Sequence, residues 1–203
     1  WNYKENFIEK EALADCDYIV HLAGAGIADK RWTDQRKKEI LDSRVLTSEL
    51  LYQTLASGKN NVKAFISASG VGYYGQLTSD KTFTETDPAG SDFVGTICKQ
   101  WEESVNKFNL LKVRTVNLRI GIVLMKKGGA LEKMAQPFRL GLGSALASGK
   151  QVIPWIHVKD LNNIILEAIC NSSMQGPYNC CSPETTNNLE FSKTLAKTLR
   201  KKI

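Results

Sequence analysis

Three stretches are nearly continuous in β-branched and apolar residues: 18–23 (YIVHLA), 64–69 (AFISAS) and 113–124 (VRTVNLRIGIVL). Such runs are expected of parallel strands covered by helices on both faces. A fourth, shorter strand is predicted at 177–181, after the Gly176 breaker. Between the strands the apolar period lengthens to that of a helix. Residues 33–56 bring Leu41, Val45, Leu51 and Leu55 toward one side, and residues 91–108 do the same for Val94, Ile97, Trp101, Val105 and Phe108. Leu161, Ile164, Ile165, Ala168 and Ile169 repeat at helical spacing after Asp160, whose carboxylate suits a helix N-terminus and is the expected cap. A last helix is predicted from Asn187, with Glu190 as its capping-box partner, through Phe191, Leu195 and Leu199. The Gly-rich stretch 128–150 reads as an excursion from the sheet. Strands alternating with helices in this order predict an α/β, doubly wound, mostly parallel sheet.

Composition narrows the class. The 203 residues are 42% apolar and 24% charged, ordinary for a globular chain. No run approaches the ~20 apolar residues of a membrane span, and WNYKENFIEK is not a signal peptide, so no membrane partner is expected. The excess of 27 Lys+Arg over 21 Asp+Glu is spread over short clusters: Arg36-Lys37-Lys38, Lys126-Lys127 and Arg200-Lys201-Lys202. With no basic stripe or recognition module, nucleic acid is not an expected partner. Five cysteines without a C-x-x-C pair suit reduced thiols and a cytoplasmic location. His21 and His157 are too far apart in sequence to suggest a metal site.

In open α/β sheets, ligands sit at the carboxyl ends of the strands. That directs attention to the loops 24–31, 70–78 and from Gly121 onward. HLAGAGIADKRWT (21–33), SASGVGYYG (67–75), CKQWE (98–102), LRIGIVL (118–124), PFRLGLG (137–143) and PWIHVKDL (154–161) occur in this order. Together they resemble an atypical branch of the extended short-chain dehydrogenase/reductase superfamily. These are NAD(P)-dependent epimerase/dehydratase-like proteins, including bacterial proteins once called cell-division inhibitors of SulA type. The resemblance implies a Rossmann-type fold with a small substrate lobe, residues 1–124 being the C-terminal part of the dinucleotide domain. Residues 125–203 would then form the lobe, interleaved with the last strand and helices of the sheet. It also implies NAD(P) as cofactor, with NADP favoured, a small-molecule substrate, and room for a homo-oligomer. The family's opening strand, glycine turn and helix find no match, nor does its C-terminal extension. The chain is therefore expected to lack the first βαβ unit and, alone, to bind a dinucleotide poorly.

The resemblance further assigns positions. Ala23, Gly24, Ala25, Arg44, Ser67, Ala68, Arg119, Gly121 and Ile122 fall on cofactor-side positions, and Tyr73, Arg139, Trp155 and His157 on the substrate side. The superfamily's proton-transfer pair, a tyrosine followed four residues later by lysine, is missing after all six tyrosines. Aligning CKQWE to the helix that normally carries it puts Val94 at the tyrosine position and Cys98 at the lysine position. Arg44 stands where an asparagine is usual. The candidates for catalysis are then Ser69 as a hydrogen-bond donor, Tyr74 as an acid and Cys98 as a thiol near the nicotinamide; a buried neutral cysteine is the competing reading. Arg119 can clamp a phosphate or carboxylate or form a structural salt bridge. His157 can shuttle protons or simply hold its turn. Lys126, Lys127, Lys133, Arg139 and Lys150 would favour an anionic substrate if the excursion folds over the site. Two functions remain: an oxidoreductase or isomerase with non-standard acid/base groups, or a non-catalytic dinucleotide-binding sensor or assembly protein.

Overall fold

The computed structural model describes residues 1–58, 60–76, 81–126 and 128–201. In chain order it forms β1 (Tyr18–His21), α1 (Asp34–Ala56), β2 (Ala64–Gly70), α2 (Phe93–Asn106), β3 (Arg114–Ile120) and β4 (Ile122–Leu124). Then follow α3 (Gly129–Arg139), β5 (Trp155–His157), α4 (Val158–Cys170), β6 (Gly176–Cys180) and α5 (Asn188–Thr198). A 3-10 turn, Val71–Tyr74, follows β2 directly. Lys127, Lys202 and the end of the 70–78 loop lie outside the described residues.

Strands β1, β2, β3 and β6 pair in that order, all parallel, while β4 and β5 form a separate parallel pair. This is the α/β Rossmann-like fold that the hydrophobic runs predict. One face of the sheet packs Phe65 against Leu51, Leu55, Trp101, Val105 and Phe108 of α1, α2 and the turn after α2. The other packs Ala64, Ile66, Val116 and Leu118 against Leu161 and Ala168 of α4. Two covered faces explain why β2 and β3 are rich in apolar and β-branched residues.

Three expectations need correction. Strand β1 is not buried on both faces: Tyr18 and Val20 are each 38% exposed at the sheet edge. The run 113–124 is not one strand. At Gly121 the chain leaves the main sheet, and a Cβ there would come within 2.7 Å of the Pro154 carbonyl oxygen, so only glycine lets the small sheet pack this close. The 128–150 stretch does leave the sheet, and it carries α3, closed by Ala135 and Phe138 on its inner side. Finally, Asp160 lies in the first turn of α4 but does not cap it; the His157 ring nitrogen Nδ1 accepts from the Lys159 amide at 3.3 Å. The capping box of α5, Asn187 with Glu190, forms as predicted. No helix among the described residues is long and apolar enough to cross a membrane.

Candidate functional site

The register of the main sheet lines up three polar residues at its carboxyl edge: Ser69 of β2 beside Arg119 of β3, and Arg119 beside Asn179 of β6. Residues opposite one another in adjacent strands share a face, and this face is the one α2 covers. Helix α2 starts where Asp92 accepts from the Gly95 amide at 2.8 Å. Its inward stripe of Val94, Ile97, Cys98, Trp101 and Val105 also carries Glu102 into the interior.

Glu102 organises the centre of the site. Its Oε1 accepts from the Ser69 hydroxyl at 2.7 Å and from Arg119 Nε at 2.9 Å, and its Oε2 accepts from Arg119 Nη2 at 2.9 Å. Both partners of this forked ion pair are buried. Burial alone would favour neutral Arg119; the hydrogen bonds and charge of Glu102, with the Tyr74 hydroxyl, outweigh it and hold the guanidinium firmly protonated. Arg119 is thus committed to a structural salt bridge, its fork filled by Glu102 rather than open to a phosphate. Ser69 has likewise spent its one proton on Glu102, so toward a ligand it presents an acceptor, not the expected donor.

The two tyrosines of the 3-10 turn differ sharply. The Tyr74 hydroxyl donates to Asn179 Oδ1 at 2.6 Å and accepts from Arg119 Nη1 at 2.9 Å. Its ring is buried and stacks on Phe83 with centroids 4.9 Å apart. Burial pushes its pKa above the usual phenol value despite Arg119. Tyr74 is therefore locked into the network and turned away from an acid's task. The segment after the turn is tied to the same edge: Glu85 accepts from Arg119 through its carbonyl (3.1 Å) and from the Asn179 amide through Oε1 (2.8 Å). Tyr73 lies over Arg119, whose guanidinium carbon is 3.5 Å from the ring centroid.

A second group gathers at the end of β1. Arg44 of α1 donates through Nη1 to the Ala25 carbonyl at 3.1 Å and the Ile40 carbonyl at 2.8 Å. Its guanidinium lies over Trp101, 5.0 Å from that ring's centroid. Gly24 makes the approach feasible, since a Cβ there would sit 3.1 Å from the guanidinium carbon. Neither Nε nor Nη2 of Arg44 has a protein partner among the described residues, and no carboxylate pairs with it. Burial lowers its pKa from the ordinary arginine value, as expected for a cation without a counter-charge. Cys98, at the missing lysine's position, is buried, and burial pushes its thiol up to about 11, so it is a neutral thiol near neutral pH.

The remaining predicted residues separate into two sets. Ser67 is fully buried and donates to the Ala68 carbonyl, while Ala23 and Ala25 flank Gly24. Gly121 and Ile122 join the two sheets through Gly121 N to the Cys180 carbonyl and Ile122 N to the Pro154 carbonyl. Trp155 donates to the Thr186 hydroxyl and His157 holds the α4 turn, both tied into the small sheet. Arg139 is exposed at the end of α3, whereas Lys133 of α3 reaches Asp29 in the loop after β1 at 2.7 Å. Glu102, Asn179 and Glu85 were missed as site residues. For Glu102 the available signal was its position four residues after Cys98, on the same helical face.

The chain is similar to known proteins over nearly all its length. The profile of the NAD dependent epimerase/dehydratase family matches residues 4–181. The Epimerase family protein ML0860 of Mycobacterium leprae is 32% identical over 201 residues, 99% of this chain and 64% of that protein. The chain thus spans a little under two thirds of that relative's length. The crystal structure of human epimerase family protein SDR39U1 with NADPH superposes with a TM-score of 0.84 at 33% identity, covering 96% of this chain and 68% of that one. The nucleoside-diphosphate sugar epimerase of Corynebacterium glutamicum gives a TM-score of 0.83 at 30% identity over 98% of this chain and 42% of its own. With its parallel sheet and its departures from the usual Tyr–Lys pair, the chain belongs to the NAD dependent epimerase/dehydratase family as an atypical short-chain dehydrogenase/reductase.

Proposed function

We propose that the chain holds the nicotinamide-ribose end of NAD(P), with NADPH preferred, across the tips of β1, β2 and β3. In this reading it acts as an oxidoreductase or isomerase on a small, anionic metabolite. The observation that carries the reading is Arg44, a half-buried guanidinium whose Nε and Nη2 have no partner, and which has no counter-ion, among the described residues, laid against a glycine at a strand tip. Such a group calls for an acceptor-rich ligand such as ribose hydroxyls or a phosphate. The bare backbone at Ala23, Gly24 and Ala25 suits a flat partner, and Ser69 offers an oxygen lone pair beside it. When bound, the nicotinamide would supply or take up hydride; the chain's own groups bind, orient and protonate. The NADPH in the SDR39U1 structure supports the cofactor preference. The lobe reading of residues 125–203 draws support from the β4–β5 pair and the Lys133–Asp29 bridge, which brings α3 toward the loop after β1.

A second reading, a dinucleotide sensor without turnover, is favoured by one feature: the tyrosine and lysine positions hold Val94 and a neutral Cys98. Titrating the full-length gene product with NADPH and NADH by fluorescence tests the first part. Arg44→Met should weaken NADPH binding about tenfold or more, the loss of a charge-assisted contact. Its melting temperature should hold or rise, because an uncompensated buried charge is removed. Absence of saturable NADPH binding overturns the proposal. Binding without turnover across a panel of carbonyl and sugar-nucleotide substrates selects the sensor.

A further inference from the structure

We propose that Tyr73, not its neighbour Tyr74, is the phenol that faces the substrate and delivers its proton; this rests on the nicotinamide reading above. The two residues share one 3-10 turn directly after β2, so both stand at the strand tips. The fate of each hydroxyl separates them. Tyr74 has its proton on Asn179 and its lone pair on Arg119, inside a buried network. Tyr73 is half-buried, and its hydroxyl makes no hydrogen bond with any described residue. Yet its ring is not loose. The Arg119 guanidinium lies against its face, Tyr74 meets its edge with centroids 5.5 Å apart, and the Gly90 amide donates to its carbonyl at 2.8 Å. A fixed ring with an uncommitted hydroxyl is the preorganised form of a proton donor.

In the resulting step the Tyr73 O–H bond breaks and an O–H bond forms on the substrate's carbonyl oxygen. The hydride that completes the reduction comes from a reduced nicotinamide, which is thereby oxidised, and water returns a proton to the phenolate. Glu102 is a positioning residue here: by holding Arg119 it fixes the cation on which the Tyr73 ring rests.

The test is nitration of the full-length gene product with tetranitromethane, mapped residue by residue by mass spectrometry, with and without NADPH. Tyr73 should nitrate in the free chain and be slowed about tenfold with NADPH at about ten times its Kd. Tyr18, at the sheet edge, should nitrate equally in both, and Tyr74 only after unfolding. If fluorescence shows NADPH bound while Tyr73 nitrates unchanged, the assignment of Tyr73 is overturned and the nicotinamide reading stands. If NADPH does not bind, both fall. Where a substrate turns over, Tyr73→Phe should cut turnover about a hundredfold or more with NADPH affinity retained. Full turnover in that variant, with loss in Tyr74→Phe, overturns the proposal.

Discussion

Converting Glu102 to glutamine should be the most damaging single change in the site, through stability first. Glu102 and Arg119 are 6% and 2% exposed, so solvent screens their attraction very little. The carboxylate accepts three hydrogen bonds, one from Ser69 and two from Arg119. Glutamine keeps the shape but removes the charge, and its amide NH2 must face either the Arg119 Nη2–H or the Nε–H and Ser69 donors. A donor then meets a donor, and Arg119 is left as a buried cation without a counter-ion. Removing one partner of a buried ion pair costs about 3–5 kcal/mol. With a urea slope of about 2 kcal/mol per molar for a chain of this size, the unfolding midpoint should fall by about 1.5–2.5 M. Tryptophan fluorescence during urea titration reads it, since Trp101 precedes Glu102 on α2. Arg119→Met combined with Glu102→Leu removes both charges and should be less destabilised than Glu102→Gln alone. The double variant remains informative even where the single one fails to fold. A single-variant loss below about 0.5 kcal/mol, the range of an ordinary surface change, would refute the reasoning. So would a double variant less stable than the single one.

Acid should weaken the fold through His21. Burial lowers its pKa to about 4, so the folded ring stays neutral while an unfolded histidine takes up a proton from 6.5 downward. The linked stability is full above about pH 6.5 and is lost as pH falls toward 4, at no more than about 1.4 kcal/mol per unit. Urea midpoints between about pH 7 and 4 should show that slope, and His21→Gln should flatten it; an unchanged slope in the variant excludes His21 as the source. The thiols give a third expectation: near pH 8, Ellman's reagent should label exposed Cys170 quickly and reach Cys98 and Cys180, pushed up to about 11 and about 12, only on unfolding. Labelling of Cys98 as fast as Cys170 would make it a reactive thiol.

The apolar pattern was legible where both faces of an element are covered. Strand β2, the start of β3 and helix α2 read correctly because large apolar side chains such as Phe65, Ile66, Val116, Leu118, Ile97 and Val105 fill most of their inward positions. Helix α1 is different. Its buried side includes Ser43, Thr47 and Ser48, and the Thr47 and Ser48 hydroxyls return to the Ser43 and Arg44 carbonyls. A count of apolar residues therefore picked Leu41 and Val45, which are only half-buried. Side chains that satisfy their own helix are cheap to bury, and hydropathy does not see it. The length of β3 was misjudged for another reason. The run stays apolar through Leu124, and the break at Gly121 depends on Pro154, a contact between residues distant in sequence.

The site divides along the same line. Absence of a Tyr–Lys pair is a spacing within one helix, so it could be read directly. Which groups answer one another across the strand tips is set by register, and register is a relation between strands. Arg119 could be placed at a strand end by sequence but not opposite Ser69 and Asn179, nor under the one helical carboxylate that reaches it. The two tyrosines sit at adjacent positions, identical in type and flanked by the same glycines, so their difference also had to come from register. Asn179 stands next to Arg119 and accepts the Tyr74 hydroxyl's hydrogen bond, and with that bond the neighbouring phenol is left as the one with no partner among the described residues. An asparagine at 179 thereby decides the chemistry available at 73, although it makes no hydrogen bond to the Tyr73 hydroxyl.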